Sequence, residues 1–266
     1  MKIPPLHILI VGEPFAGKST FCRTMPTPNL VFFFDPVGKD EAYLECGDVQ
    51  DLDNGQPLKT LQGAPMKRVW SREKEPKLLF QVEYYHDGEW VEDPIKGGFK
   101  PTPVAYEQFC KRLINIDQEF DYWNTISLDS YSGAELSAML REKFKLNPGT
   151  KFDLRHWGGG ARSELEMAIF ARFGMFPMNV VVICHEKVYQ NDKTGEIIRQ
   201  ADTYGNLGNT FGRGFSEMYR MVNIPNVGRQ LQTQKDAMWN ANSKYAPNPC
   251  EPSYQAVIAS ITNQGE

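Results

Sequence analysis

The strongest constraint on this chain is a glycine-framed octet, Gly12-Glu13-Pro14-Phe15-Ala16-Gly17-Lys18-Ser19, set between an apolar run and a helix-forming segment. Leu6 to Val11 is apolar apart from His7, as suits a parallel strand covered on both faces. Residues 17–25 then read as a helix stopped by Pro26 and Pro28. The octet fits G-x-x-x-x-G-K-[ST], and Thr20 follows it. Glycines at both ends let backbone N–H groups turn inward around phosphate oxygens, and the start of the next helix favours negative charge. Lys18 neutralises terminal phosphates, and the Ser19 hydroxyl is a ligand for Mg²⁺. The pattern predicts nucleotide binding by Gly12, Pro14, Ala16, Gly17, Lys18, Ser19 and Thr20. The alternative, a chance glycine loop, does not account for the flanking strand and helix.

Downstream, apolar runs alternate with helical periods, which predicts an α/β fold. Leu30 to Phe34 is a second buried strand ending at Asp35-Pro36, Thr125 to Ser130 a third, and Asn179 to Cys184 a fourth. Helices are expected at about 102–120, 162–176 and 253–261. Another continues to Phe144, with Ser132 as its cap and Glu135 three residues on. Residues 36–100 are polar and proline-bearing, and read as a β-rich insertion with a hairpin turn at His86-Asp87-Gly88-Glu89. Lys187 to Gln200 reads as a hairpin, and short strands are expected near 219–224, 229–233 and 237–241. Residues 1–266 thus read as a single domain carrying that insertion.

Bulk properties remove several function classes. With 41% hydrophobic and 23% charged residues the chain is of ordinary globular composition. A net charge of -4 supplies no global field for nucleic acid, so any DNA contact needs a local basic surface. Five scattered cysteines without C-x-x-C spacing point to free thiols in a reducing cytoplasm. No stretch approaches the ~20 apolar residues of a membrane span.

Asp129 closes the third strand, where a carboxylate can hold Mg²⁺ and its water shell; a helix-capping aspartate is the other use of that position. His185 follows the fourth strand, where α/β sheets place ligand-binding groups, and either senses a terminal phosphate or bonds its own loop. Thr150-Lys151-Phe152-Asp153 matches a guanine-reading [NT]-K-x-D pattern. It follows Leu146-Asn147-Pro148-Gly149 rather than an apolar strand, and a D-x-x-G motif from Asp129 fails at Ser132. Adenine is therefore the expected base.

The order of these elements resembles the RecA-like ATPases. More narrowly, it resembles phage P-loop "AAA" proteins that reduce to a RecA core and anneal single-stranded DNA. The likeness rests on Gly12–Thr20, Phe32-Phe33-Phe34-Asp35-Pro36, Ile126–Ser130, Val180–Glu186, and the closing segment from Gln230-Leu231-Gln232-Thr233 to Ala241–Tyr245. It implies a three-layer sandwich with the P-loop strand beside the His185 strand and the Asp129 strand close by. It also implies ATP and Mg²⁺ at subunit interfaces of a ring or filament, a viral origin, and action on single-stranded DNA, with a single-strand binding protein as a further partner. RecA relatives carry a catalytic glutamate in a pattern like D-x-E-G, whereas this chain reads Asp35-Pro36-Val37-Gly38. Asp35, Asp40 or Glu41 is then left to orient the attacking water, with His185 beside them, or hydrolysis is slow.

Two loops of such relatives line the DNA path. Their counterparts here carry Lys151, Arg155, Trp157 and Arg162, and then Lys187, Arg199 and Arg213. Cations among aromatics suit a single strand, although Asp153, Glu196 and Asp202 dilute the charge and a solvated loop reads equally well. Lys235 and Lys244 are candidates for a cation reaching a neighbour's nucleotide. The rival readings are a helicase-loader or other AAA+ ATPase, a nucleotide kinase, and an interaction protein that holds ATP without using it. A kinase lacks its arginine-rich lid here, and an AAA+ protein its C-terminal helical one.

Overall fold

The computed structural model describes residues 3–36, 38–87, 91–92, 99–100, 102–146, 160–190, 195–203, 211–236, 238–239 and 241–263. Four strands form its parallel centre: β1 (His7–Gly12), β2 (Asn29–Phe33), β10 (Thr125–Asp129) and β11 (Asn179–Gln190). β1 is flanked by β11 and by β13 (Glu217–Ile224), both parallel to it. β10 lies between β11 and β2, again in parallel. The P-loop strand is therefore beside the His185 strand, with the Asp129 strand next. β14 (Gly228–Gln232) closes one side, antiparallel to β13.

Side-chain alternation along these strands divides the core into two layers. Leu9, Val11, Leu30, Phe32, Ile126, Leu128, Val180 and Val182 pack on one face. There they meet α3 (Ala105–Asn115), α4 (Tyr131–Leu146) and α5 (Gly160–Met167) through residues such as Phe109, Ala134 and Leu165. Ile8, Ile10, Val31, Phe33, Val181 and Ile183 pack on the other face. Their partners are α1 (Lys18–Cys22), α2 (Glu41–Leu44) and α6 (Tyr254–Asn263), through Phe21, Tyr43 and Val257. The arrangement is helix, sheet, helix, and the strands read as unbroken apolar runs because both faces are covered.

Residues 36–100 contribute β3 (Asp48–Gln50), β6 (Met66–Trp70) and β7 (Leu78–Tyr84) to the central sheet, where β7 runs parallel to β2. The short pairs β4 (Leu52–Asp53) with β5 (Gln56–Pro57), and β8 (Val91–Glu92) with β9 (Phe99–Lys100), lie outside it. Of the hairpin turn expected at His86–Glu89, Gly88 and Glu89 lie outside the described residues, and the flanking strands β7 and β8 do not pair with each other. Both edges of β7 are taken, by β2 and β6, so β8 pairs with β9 instead. β7 also carries Glu83, a fully buried carboxylate. Both its oxygens accept from Arg112 Nε at 3.2 Å, while Tyr85 OH and Gln81 Nε2 donate at 2.8 and 2.7 Å. The guanidinium of Arg112 continues to both oxygens of Glu119 at 2.8 Å.

The cap of α4 is Ser130, not Ser132. Ser130 Oγ accepts from the amide of Gly133 at 3.2 Å, and its carbonyl accepts from Ala134 at 3.0 Å. Ser132 lies inside the first turn and ties α4 to the middle of β11, accepting from the His185 amide at 3.2 Å and donating to the Asp202 carbonyl at 3.0 Å. The expected hairpin after His185 forms, β11 pairing with β12 (Ile197–Ala201). Among the described residues no helix is long and apolar enough to cross a membrane.

Candidate phosphate-binding site

Strand register gathers the polar candidates at one edge of the sheet. Gly12 pairs with His185 across β1 and β11, and Asp129 pairs with Phe33, two residues before Asp35. This is the edge beyond the carboxyl ends of parallel strands, where open α/β sheets bind ligands.

The loop geometry follows from its residues. A Cβ on Gly12 would stand 2.7 Å from the Met221 carbonyl oxygen, so the exit from β1 admits only glycine. Gly17 has φ +103°, a left-handed conformation that lets the chain enter α1 at Lys18. Lys18 folds back over the loop and donates to the carbonyls of Gly12 at 2.8 Å and Glu13 at 2.7 Å. Its ammonium is buried, and burial pulls it below the ordinary lysine range against the opposing charges of Asp129, Asp35 and Glu186.

Ser19 Oγ donates to Asp129 Oδ2 at 2.7 Å, and Tyr43 OH donates to the same oxygen at 2.8 Å. Burial pushes the Asp129 carboxyl up to about 6, and the neighbouring Asp35 pushes it the same way. Asp35 is held below its usual range: burial works against this, but the His185 ring and the Ser130 hydroxyl outweigh it. Ser130 Oγ donates to Asp35 Oδ1 at 2.8 Å, whereas His185 Nε2 stands 3.8 Å from that oxygen, beyond hydrogen-bond distance.

The two aspartates thus ionise at different pH, which has a consequence for stability. An acid whose folded pKa exceeds its unfolded value of 3.8 favours the native state when protonated. That contribution is complete below about pH 4 and is lost as pH rises through about 6. Asp129→Asn, which cannot ionise, is expected to remove the loss. The gap in thermal midpoint between this variant and the parent should widen across that window and then level off; a gap independent of pH overturns the assignment.

A cavity of about 350 Å³ joins Pro14, Gly17, Lys18, Ser19 and Thr20 to Asp35, Glu41, Asp129 and His185. Ala16 faces away, its side chain buried in the core beneath α1. Asp40 is committed elsewhere: Tyr84 OH donates to it at 2.5 Å and Lys67 lies 3.3 Å away. Among the described residues no group of three or more His, Cys, Asp or Glu is placed to hold a metal. The Ser19–Asp129 pair nevertheless offers two hard oxygen donors side by side, a set that suits Mg²⁺, which keeps several waters and takes one or two carboxylates.

Of the expected DNA contacts, Lys151, Arg155 and Trp157 lie outside the described residues, as does the Arg162 side chain. Lys187 donates to the Thr203 carbonyl and lies 3.7 Å from Asp202. Arg213 is exposed in a short 3-10 turn. Arg199 is already engaged, 2.6 Å from Glu186 and 3.5 Å from Glu13. Lys244 lies over the ring of Tyr245.

Three participants went unread in the sequence. Tyr43 binds Asp129, Arg220 binds Glu186, and Arg229 lines the cavity from β14. None sits in a motif, and only the docking of α2 and of β13–β14 brings them to the loop.

No protein-family model matches the chain, and no curated protein matches it. Among solved structures it is similar to the flagellar accessory protein FlaH from Methanocaldococcus jannaschii, at 13% identity and a TM-score of 0.38, over 93% of this chain and 88% of FlaH.

Proposed function

We propose that the chain is a RecA-like protein that binds Mg²⁺-ATP at the Gly12–Ser19 loop and hydrolyses it slowly. One observation carries this reading. The hydroxyl of Ser19 and the carboxylate of Asp129, 110 residues apart in sequence, meet at 2.7 Å in the field of the Lys18 ammonium. Ser19 and Asp129 hold Mg²⁺, which when bound neutralises charge on the terminal phosphates. Lys18 supplies the protein's own cation there, and Gly17 and Thr20 line the phosphate path. Asp35 and Glu41 face the same cavity and orient water; His185, midway along β11 and beside Asp35, reads the terminal phosphate. Turnover is slow because Val37 stands where a glutamate base would.

The partner we propose is single-stranded DNA, in a viral annealing or recombination role, with the protein assembled as a ring or filament alongside a single-strand binding protein. The β11–β12 hairpin supports this, since it leaves the site carrying Lys187, exposed Val188 and exposed Tyr189. Fluorescence anisotropy with a labelled oligonucleotide, with and without Mg²⁺-ATP, tests it. The expected result is an affinity that falls steeply with salt, because phosphate contacts release counterions. No anisotropy change at low salt would exclude DNA and favour a helicase-loader or an ATP-holding interaction protein.

A further inference from the structure

Arg229 enters the phosphate cavity from β14, just ahead of the closing segment that begins at Gln230, and no site role was read for it in the sequence. Its side chain lies directly on the loop: a Cβ on Gly17 would stand 2.6 Å from Arg229 Cδ and 2.9 Å from its Nε. The guanidinium then extends towards α1, with Nη1 3.5 Å from Thr20 Oγ1. Among the described residues no carboxylate forms an ion pair with it, whereas the nearby Arg199 and Arg220 are both fastened to Glu186.

Of the cations lining the cavity, Lys39 comes from the segment between β2 and α2, while Lys18 and Arg229 occupy opposite ends of the loop. Lys18 Nζ is bound at the Gly12 and Glu13 carbonyls, and Arg229 reaches the Thr20 end. In loops of this pattern the lysine serves the terminal phosphates, while backbone amides cradle the phosphates nearer the sugar. A polyphosphate lying along the loop thus presents its sugar-proximal end to Arg229. A guanidinium offers a planar, always-charged fork of donors matched to phosphate oxygens.

We infer that Arg229 is a nucleotide-binding residue of the same subunit, which grips the α-phosphate side of a nucleoside di- or triphosphate and roofs Gly17. This rests on the nucleotide-binding reading of the loop. It assigns β14 a role in affinity that is independent of the terminal phosphate. ADP and ATP should then depend on Arg229 equally.

Calorimetric titration of the full chain with Mg²⁺-ATP and Mg²⁺-ADP tests this on Arg229→Met and Arg229→Lys. Methionine keeps an apolar stem over Gly17 and removes the charge, so packing and charge are separated. The expected result is a loss of about tenfold for both nucleotides in the methionine variant, the scale of one charged hydrogen-bonding partner. Lysine should restore part of it, and the thermal midpoint without nucleotide should stay unchanged. Unchanged affinity in the methionine variant, or a loss confined to ATP, overturns the assignment. A parent protein that binds neither nucleotide overturns instead the reading of the loop itself.

Discussion

Replacing Lys18 with alanine is expected to remove measurable Mg²⁺-ATP binding while leaving the protein folded. Among the described residues the buried ammonium is satisfied only by two loop carbonyls, and burial holds it below its ordinary pKa. A cation in that state carries a desolvation cost that an arriving polyphosphate offsets, so the interaction with the anion is strong. Truncating one partner of a buried charged pair costs about 2–5 kcal/mol, a loss of roughly 30- to several-thousand-fold in affinity. The fold does not depend on that ammonium, because among the described residues no carboxylate hydrogen-bonds it and alanine suits the first turn of α1. Calorimetry reads the first effect and a melting curve the second. Parent-like ATP affinity in Lys18→Ala would sink the central proposal.

The opposite separation is expected on the far side of the sheet, at Arg112. Glu83 is fully buried on β7 and depends on Arg112 for its countercharge. Arg112→Met leaves that carboxylate unpaired in the core and should destabilise the protein by about 3–5 kcal/mol. The residual donors from Tyr85 and Gln81 soften the loss but supply no charge. Removing both charges in Glu83→Gln/Arg112→Met should recover much of it, since an absent pair costs less than half of one. Denaturant titration of the two variants measures this. Equal stability for the single and double variants would show that the carboxylate relaxes to solvent. Nucleotide affinity of the folded fraction should not change, because the Glu83–Arg112 pair does not line the phosphate cavity.

What could be read from the sequence follows the range of the forces involved. The four central strands were legible because burial on both faces leaves an uninterrupted apolar run, as in Val180–Cys184. That Lys18, Ser19 and Asp129 stand together was legible because a local loop and a strand end fix their surroundings. The cap of α4 was misplaced by two residues: Ser132 and Glu135 have capping-box spacing, but Ser130 alone has the geometry. Arg199 read as a free cation because Glu186 and Glu13 reach it only after the hairpin folds back. Tyr43 and Arg229 carry no local signature, since their roles exist only in tertiary contact with the loop.

β11 also has a mechanical meaning. Its 12 residues span about 40 Å, inner half embedded between β1 and β10 and outer half projecting with β12. The transition falls at Glu186, where Arg220 and Arg199 clamp one carboxylate and Arg199 also touches Glu13 of the loop. The hairpin is thus a cantilever whose root is bolted to the same turn that surrounds Lys18. A shift of that turn acts at the fulcrum, where a small rotation displaces the Gln190–Ile197 pair more than the Glu186–Ala201 pair.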